Sequence, residues 1–154
     1  MRDTLFRGKY DDNQWYYGYH FTSRDINGKT RHYISYEQSP GEDSKYVEVF
    51  PETVGQCTGL KDKNDKYIFV GDIVRWTSRD SYLVGKYTYY TSYGYNSLFV
   101  VTNLDSGFTL RKCQDNAPEI PNANGKIDNY TFWNHQNQLE VIGNIFDNPE
   151  LLEV

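Results

Sequence analysis

Cysteine, histidine, methionine and proline are all scarce here: two, three, one and five residues among 154. Each shortage removes a class of explanation. Cys57 and Cys113 stand far apart and in no metal-type spacing, which rules out a disulfide framework and a thiolate zinc site. They are expected to be free thiols in a reducing cytoplasm, with one disulfide between them as the alternative. Three histidines, His20, His32 and His135, give little material for a metal centre, which needs three or four convergent ligands. Alanine, the best helix former, is scarce as well, and so argues against a helical protein. No apolar run approaches the roughly 20 residues of a membrane helix. The segment Met1 to Gly8 lacks the hydrophobic stretch of a secretory leader, so a cytoplasmic protein that stays in the cell that makes it is expected. Lysine and arginine number 16 against 21 acidic residues, a net charge of -5. A chain of that balance repels a polyanion overall, and any nucleic-acid binding must be local.

Aromatic residues are what the chain has in excess: fifteen tyrosines, eight phenylalanines and three tryptophans. Each can bury about 150–250 Å², so a core forms despite a mean hydropathy of -0.79. Aromatic and β-branched residues favour strands. The expected fold is mainly β with little helix: a hairpin-rich N-terminal sheet over residues 1–60, including a connector, and a small SH3-like barrel over 61–154.

Strands are expected over Leu5 to Tyr10, Gln14 to Phe21 and Thr30 to Tyr36. Asn27-Gly28 reads as a two-residue turn, which places Phe21 opposite Ile34, Tyr19 opposite Tyr36 and His20 opposite Ser35. In that register His20 lies on a polar face and His32 on the other, with Tyr19, Phe21, Ile34 and Tyr36, so the two histidines point apart. Phe50 to Gly55 reads as one helical turn, with Pro51 at its start and Gly55 as its stop. Residues 116–128 form the longest expected loop. Leu139 to Phe146 is expected as a strand that buries Leu139, Val141 and Ile145, and Asn148-Pro149 as the start of a terminal turn capped by Asn148.

Four stretches share a recognisable pattern. They are Phe6-Arg7-Gly8-Lys9 with Trp15-Tyr16-Tyr17-Gly18, Pro51 through Asn64, Ile68 through Val74, and Leu139 through Leu152. In this order, spread over almost the whole chain, they resemble the YopX family of phage and prophage proteins. Asp65 departs from the family's usual glycine, Cys57 from a common aromatic, and Val70 from a common acidic residue. The resemblance implies phage or prophage origin and a mostly-β fold. It implies no established reaction and supplies no catalytic residue.

The residues themselves show no nucleophile, phosphate-loop or metal-binding motif, so no catalytic residue, metal or cofactor is assigned. Two clusters are candidates for binding. Glu52, Gln56, Thr58 and Lys61 are polar residues within Pro51 to Asn64 and form either a docking loop or a fixed connector. Arg75, Arg79 and Lys86 lie near the tyrosine-rich stretch around Tyr87, Tyr89 and Tyr90. Strand alternation groups Tyr87, Tyr89 and Tyr93 on one face and Tyr82 with Tyr90 on the other. One face could stack bases or pack a partner. The expected function is therefore that of a non-enzymatic accessory binding protein. It would contact an unknown host or phage protein and form a homo-oligomer that covers its sheet edges. The alternatives are a nucleic-acid-binding barrel and a small-molecule or nucleotide-sequestering anti-defence protein.

Overall fold

The computed structural model describes residues 5–11, 13–77, 80–84, 87–91, 98–104, 107–113, 126–127 and 136–152. Among them the chain is mainly β, with short 3-10 turns and no α-helix. It divides into two compact units, Met1–Cys57 and Thr58–Val154. No helix among the described residues is long and apolar enough to cross a membrane.

The first unit is an antiparallel meander of β1 (Phe6–Lys9), β2 (Trp15–Arg24), β3 (Thr30–Tyr36) and β4 (Lys45–Val49). A 3-10 turn, Pro51–Thr53, leads into β5 (Gly55–Lys61), whose first residues pair with β1, so the order is β4-β3-β2-β1-β5. The expected single helical turn is this 3-10 turn, with Pro51 at its start, but Gly55 opens a strand rather than stopping a helix. Thr53 ties this turn down. Its Oγ1 donates to the Phe50 carbonyl at 2.7 Å and accepts the Lys9 N–H at 2.9 Å.

The β2–β3 hairpin forms where expected, but its register is one residue off. Tyr19 faces Ser35, His20 faces Ile34 and Phe21 faces Tyr33. The cause is local. The Asp25 carboxylate accepts the N–H groups of Asn27 at 2.9 Å and Lys29 at 3.0 Å. The Asp25 N–H donates to the Lys29 carbonyl, and the Gly28 N–H to the Asp25 carbonyl. Ile26-Asn27-Gly28 is therefore a three-residue loop with Gly28 at φ 79°, where glycine carries no steric penalty. A slip of one residue exchanges the faces of a strand. The face that buries Ile34 and Val49 carries His20 and His32, while Tyr17, Tyr19, Phe21, Tyr33 and Tyr46 share the opposite face.

In the second unit the rest of β5 is followed by β6 (Tyr67–Phe69) and β7 (Asp72–Trp76). Then come a hairpin of β8 (Asp80–Val84) and β9 (Tyr87–Thr91), and strands β10 (Leu98–Leu104), β11 (Gly107–Lys112), β12 (Lys126–Ile127) and β13 (Leu139–Asn144). Five of these form an antiparallel sheet in the order β12-β11-β10-β7-β13. Its end strands do not pair with each other among the described residues, so the sheet is not a closed barrel there. Leu60, Ile68, Val74, Trp76, Phe99, Val101, Leu110 and Leu139 make the core. Trp76 and Phe99 meet edge to face with centroids 6.2 Å apart. Full burial of side chains of this kind stabilises by about 1.5–3 kcal/mol each.

Two carboxylates hold the turns of this unit. Asp62 is buried; its Oδ1 accepts from Asn64 and Lys66, and its Oδ2 from the Val141 N–H at 2.9 Å. Asp72, also buried, accepts the Phe69 N–H at 2.8 Å and closes the turn through Gly71. Asp65 occupies the left-handed region at φ 65°, the backbone state for which its departure from glycine matters.

Leu139 is buried and pairs with Trp76, as expected, while Val141 is half-buried and sits at a bulge with Gly143. Ile145 corrects the sequence reading, because it lies beyond β13 in a turn and is only half-buried. The strand ends because the Asn144 side chain accepts the N–H groups of Phe146 and Asp147, which turns the chain. The Asn148 side-chain Oδ1 then accepts the Asn144 N–H at 3.2 Å, so it serves the preceding turn and does not cap the next one, while the Asn148 backbone carbonyl accepts from Leu151 at the start of the Pro149–Leu152 turn.

Candidate functional site

The aromatic face of the first unit is built by simple alternation. Residues i, i+2 and i+4 of a strand share a face, so Tyr17, Tyr19 and Phe21 run along β2. The observed register sets Tyr33 of β3 opposite Phe21, and the outer strand β4 adds Tyr46. Phe21 and Tyr33 stack with centroids 5.1 Å apart and planes 14° off parallel. Tyr46 meets both edge to face, at 6.1 Å from Phe21 and 5.8 Å from Tyr33. These are favourable aromatic geometries, yet the rings stay open to solvent. Tyr17, Tyr19, Phe21 and Tyr46 are 48%, 54%, 40% and 70% exposed.

The cations of this face are engaged. Arg31 donates from Nε to Asp25 at 3.1 Å and from Nη1 to Glu48 at 2.9 Å, which holds its proton more firmly than usual. The Asp25 carboxyl lies below its ordinary range, first because of the Lys29 N–H and then through Asn27 and Arg31. Arg7 is buried with its guanidinium 4.7 Å over the Trp15 ring, and the Lys9 ammonium lies 5.8 Å over the same ring.

The other face corrects a second expectation. His20 and His32 do not point apart. Their rings stack at 5.1 Å, 9° from parallel, and His20 Nε2 lies 2.8 Å from His32 Nδ1. Burial, and then the charge of His32, push the His20 pKa down. Phe6 packs 5.4 Å from His20. Beside the pair is a concavity of about 330 Å³ lined by Tyr10, Lys29, Thr30, His32, Val49 and Phe50, among others. No group of three histidine, cysteine or carboxylate side chains that could hold a metal occurs among the described residues.

The residues picked from sequence fall elsewhere. In the first unit, Glu52 is exposed on the 3-10 turn, and Gln56 is half-buried opposite Phe6. In the second, the Thr58 hydroxyl donates to the Ile68 carbonyl at 2.8 Å, a turn-closing role. Lys61 pairs with Asp65 at 3.3 Å and lies over the Tyr67 ring. Arg75 donates to Glu140 at 2.7 Å, and this bond, with Lys63 at 3.7 Å, holds the Glu140 carboxyl below its ordinary range. Arg79 and Lys86 lie outside the described residues. Tyr87, Tyr89 and Tyr90 belong to β9, whose backbone register sets Tyr89 opposite Tyr82 and Tyr90 opposite Ser81, and Tyr93 lies outside the described residues. Cys57 and Cys113 are both free thiols, and burial pushes the Cys113 thiol up to about 11.

The aromatic face escaped the sequence reading although its signal was present. The alternation Tyr17, Tyr19, Phe21 is plain, but the two-residue turn set Tyr19 and Phe21 on the face of Ile34, which is the buried one.

Comparison with known proteins adds the family. A solved structure, protein EF1440 from Enterococcus faecalis, aligns with 23% identity over 98% of this chain and 99% of that one, at a TM-score of 0.48. A search of curated proteins finds no match. The family model described as YopX protein matches residues 5–153, and the chain belongs to the YopX family.

Proposed function

We propose that this chain is a non-enzymatic binding protein of phage or prophage origin, and that the exposed aromatic face of its N-terminal sheet contacts a host or phage protein. One observation carries the reading: four aromatic side chains, 40–70% exposed, share one sheet face. Taking about 200 Å² per ring, they present about 400 Å² of aromatic surface, within the range of about 300–600 Å² of the largest patch on a monomer, which is often a functional one. Covering it is worth about 10 kcal/mol gross at about 25 cal/mol per Å², against an association cost of about 4–15 kcal/mol. Net affinity then rests on a few anchors, and tyrosine and phenylalanine are suited to that role.

The polar groups of the second unit support placing the site in the first. We read that unit as an SH3-like sheet in which Asp62 and Asp72 serve its own turns and Arg75 is matched by Glu140. The same pairing weighs against nucleic acid, since phosphate contacts need available cations. The concavity beside His32 favours a second reading, a small ligand held between Tyr10 and Phe50.

The test is affinity capture from bacterial cells with the wild-type chain and with the double variant Phe21→Ser/Tyr46→Ser, analysed for proteins, nucleic acid and small molecules. Proteins lost with the variant are the expected result. Equal capture by both chains overturns the reading. A nucleotide recovered with both forms supports the small-ligand alternative.

A further inference from the structure

We propose that two copies of this chain join edge to edge through β4, antiparallel, about a two-fold axis at Val47. The strand β4 ends its sheet, and one of its edges is taken by β3 in an unbroken register from His32↔Val49 to Tyr36↔Lys45. Among the described residues no strand occupies the other edge. A free edge is a template for another chain, and proteins usually blunt it with proline, bulges or several charges. The sequence Lys-Tyr-Val-Glu-Val has no proline and one lysine, at its first position, and its pairing with β3 shows no bulge.

The strand is complementary to itself. A two-fold at Val47 uses all five residues: Val47 meets its own copy, Lys45 meets Val49, and Tyr46 meets Glu48. No like charges stand directly opposite, the arrangement that destabilises a strand pair. A two-fold at Glu48 would instead set Glu48 against Glu48. With the centre at Val47, the two Tyr46 rings become diagonal neighbours, within reach of aromatic side chains. The two Glu48 carboxylates are also diagonal, and each carries an Arg31 guanidinium at 2.9 Å.

Side-by-side joining leaves the sheet faces open. The clusters of Phe21, Tyr33 and Tyr46 from the two copies become one continuous two-fold surface. The pairing stands on the edge strand; its consequence, a doubled platform for a partner, rests on the binding reading above. A five-residue edge is small beside the roughly 800 Å² per partner of a standard interface, so the dimer is weak and concentration-dependent.

Sedimentation velocity over a concentration series tests this with two substitutions at one exposed position. Tyr46→Glu sets a carboxylate opposite Glu48 twice per dimer, whereas Tyr46→Lys sets an ammonium there. Tyr46 is 70% exposed, so both variants fold, which thermal melts verify. The expected result is a reversible wild-type dimer, weakened about tenfold by Tyr46→Glu and kept or tightened by Tyr46→Lys. Equal weakening by both variants overturns the strand pairing and indicates a general aromatic contact. A wild-type chain that stays monomeric throughout overturns it too. If that monomer still loses its partner on Phe21→Ser, the binding reading survives alone; a dimer whose partner capture ignores Phe21→Ser fails the binding reading alone.

Discussion

Replacing Gly18 by alanine adds a single methyl group in the middle of β2, and the structure leaves no room for it. An ideal Cβ at this position would overlap the Ser35 carbonyl oxygen, lie 2.8 Å from the Ser35 carbonyl carbon and 3.3 Å from the Tyr36 Cα. All three are backbone atoms, so no rotamer change relieves the clash; β3 itself must move. Gly18 has no positive φ, so backbone preference does not contribute. Overpacking of a well-fitted site costs about 1–3 kcal/mol, and a clash against backbone belongs at or above the top of that range. That is a large part of a typical domain stability of about 5–15 kcal/mol. Gly28→Ala is the control: nothing lies within 4 Å of its added methyl, and only the φ of 79° opposes it, at about 1–2 kcal/mol. Urea unfolding of both variants measures the difference. If Gly18→Ala is no more costly than Gly28→Ala, β3 does not lie over Gly18 and the register described here is wrong.

Three further outcomes are expected. The His20 pKa is lowered in the folded state, so the unfolded chain takes up the proton first; stability holds above about pH 6.5 and falls as pH drops below it. Urea midpoints at neutral and mildly acidic pH should show this fall, and His20→Gln should reduce it. Asp65→Gly relieves a left-handed aspartate at φ 65° and loses only an exposed ion pair with Lys61, so Tm should rise slightly, for a gain of up to about 1 kcal/mol. Leu139→Ala, in the core of the second unit, should cost about 2–5 kcal/mol, and Ile145→Ala, half-buried in a turn, clearly less; equal losses in chemical denaturation would contradict the placement of β13.

The sequence made the strand-rich class legible because alternation and aromatic content are local properties. Turns were legible to the same degree: Gly28 does take a positive φ, and a terminal turn does follow Asn148. Register was not, because it depends on whether the Asp25 carboxylate captures the Asn27 and Lys29 N–H groups, a competition between loops of two and three residues. That one-residue difference moved Tyr19 and Phe21 from the face of Ile34 to an exposed face and brought His20 to His32. The role of Asp62 was hidden for another reason. One of its acceptor bonds serves Val141, 79 positions away, and nothing in a charged run such as Lys61 to Lys66 announces a distant partner. The expected basic and tyrosine-rich site followed from clustering along the chain, which says little about which charges are already matched, as Arg75 is by Glu140.

The claim that the aromatic face is the working surface is tested most directly by photo-crosslinking in bacterial cells. A benzophenone amino acid is placed at Tyr46 in one chain and at Tyr67, an exposed tyrosine of the second unit, in another. The account predicts covalent adducts from position 46 to a protein other than this chain, and none of that kind from position 67. Adducts of the same protein from both positions, or from position 67 alone, would contradict it.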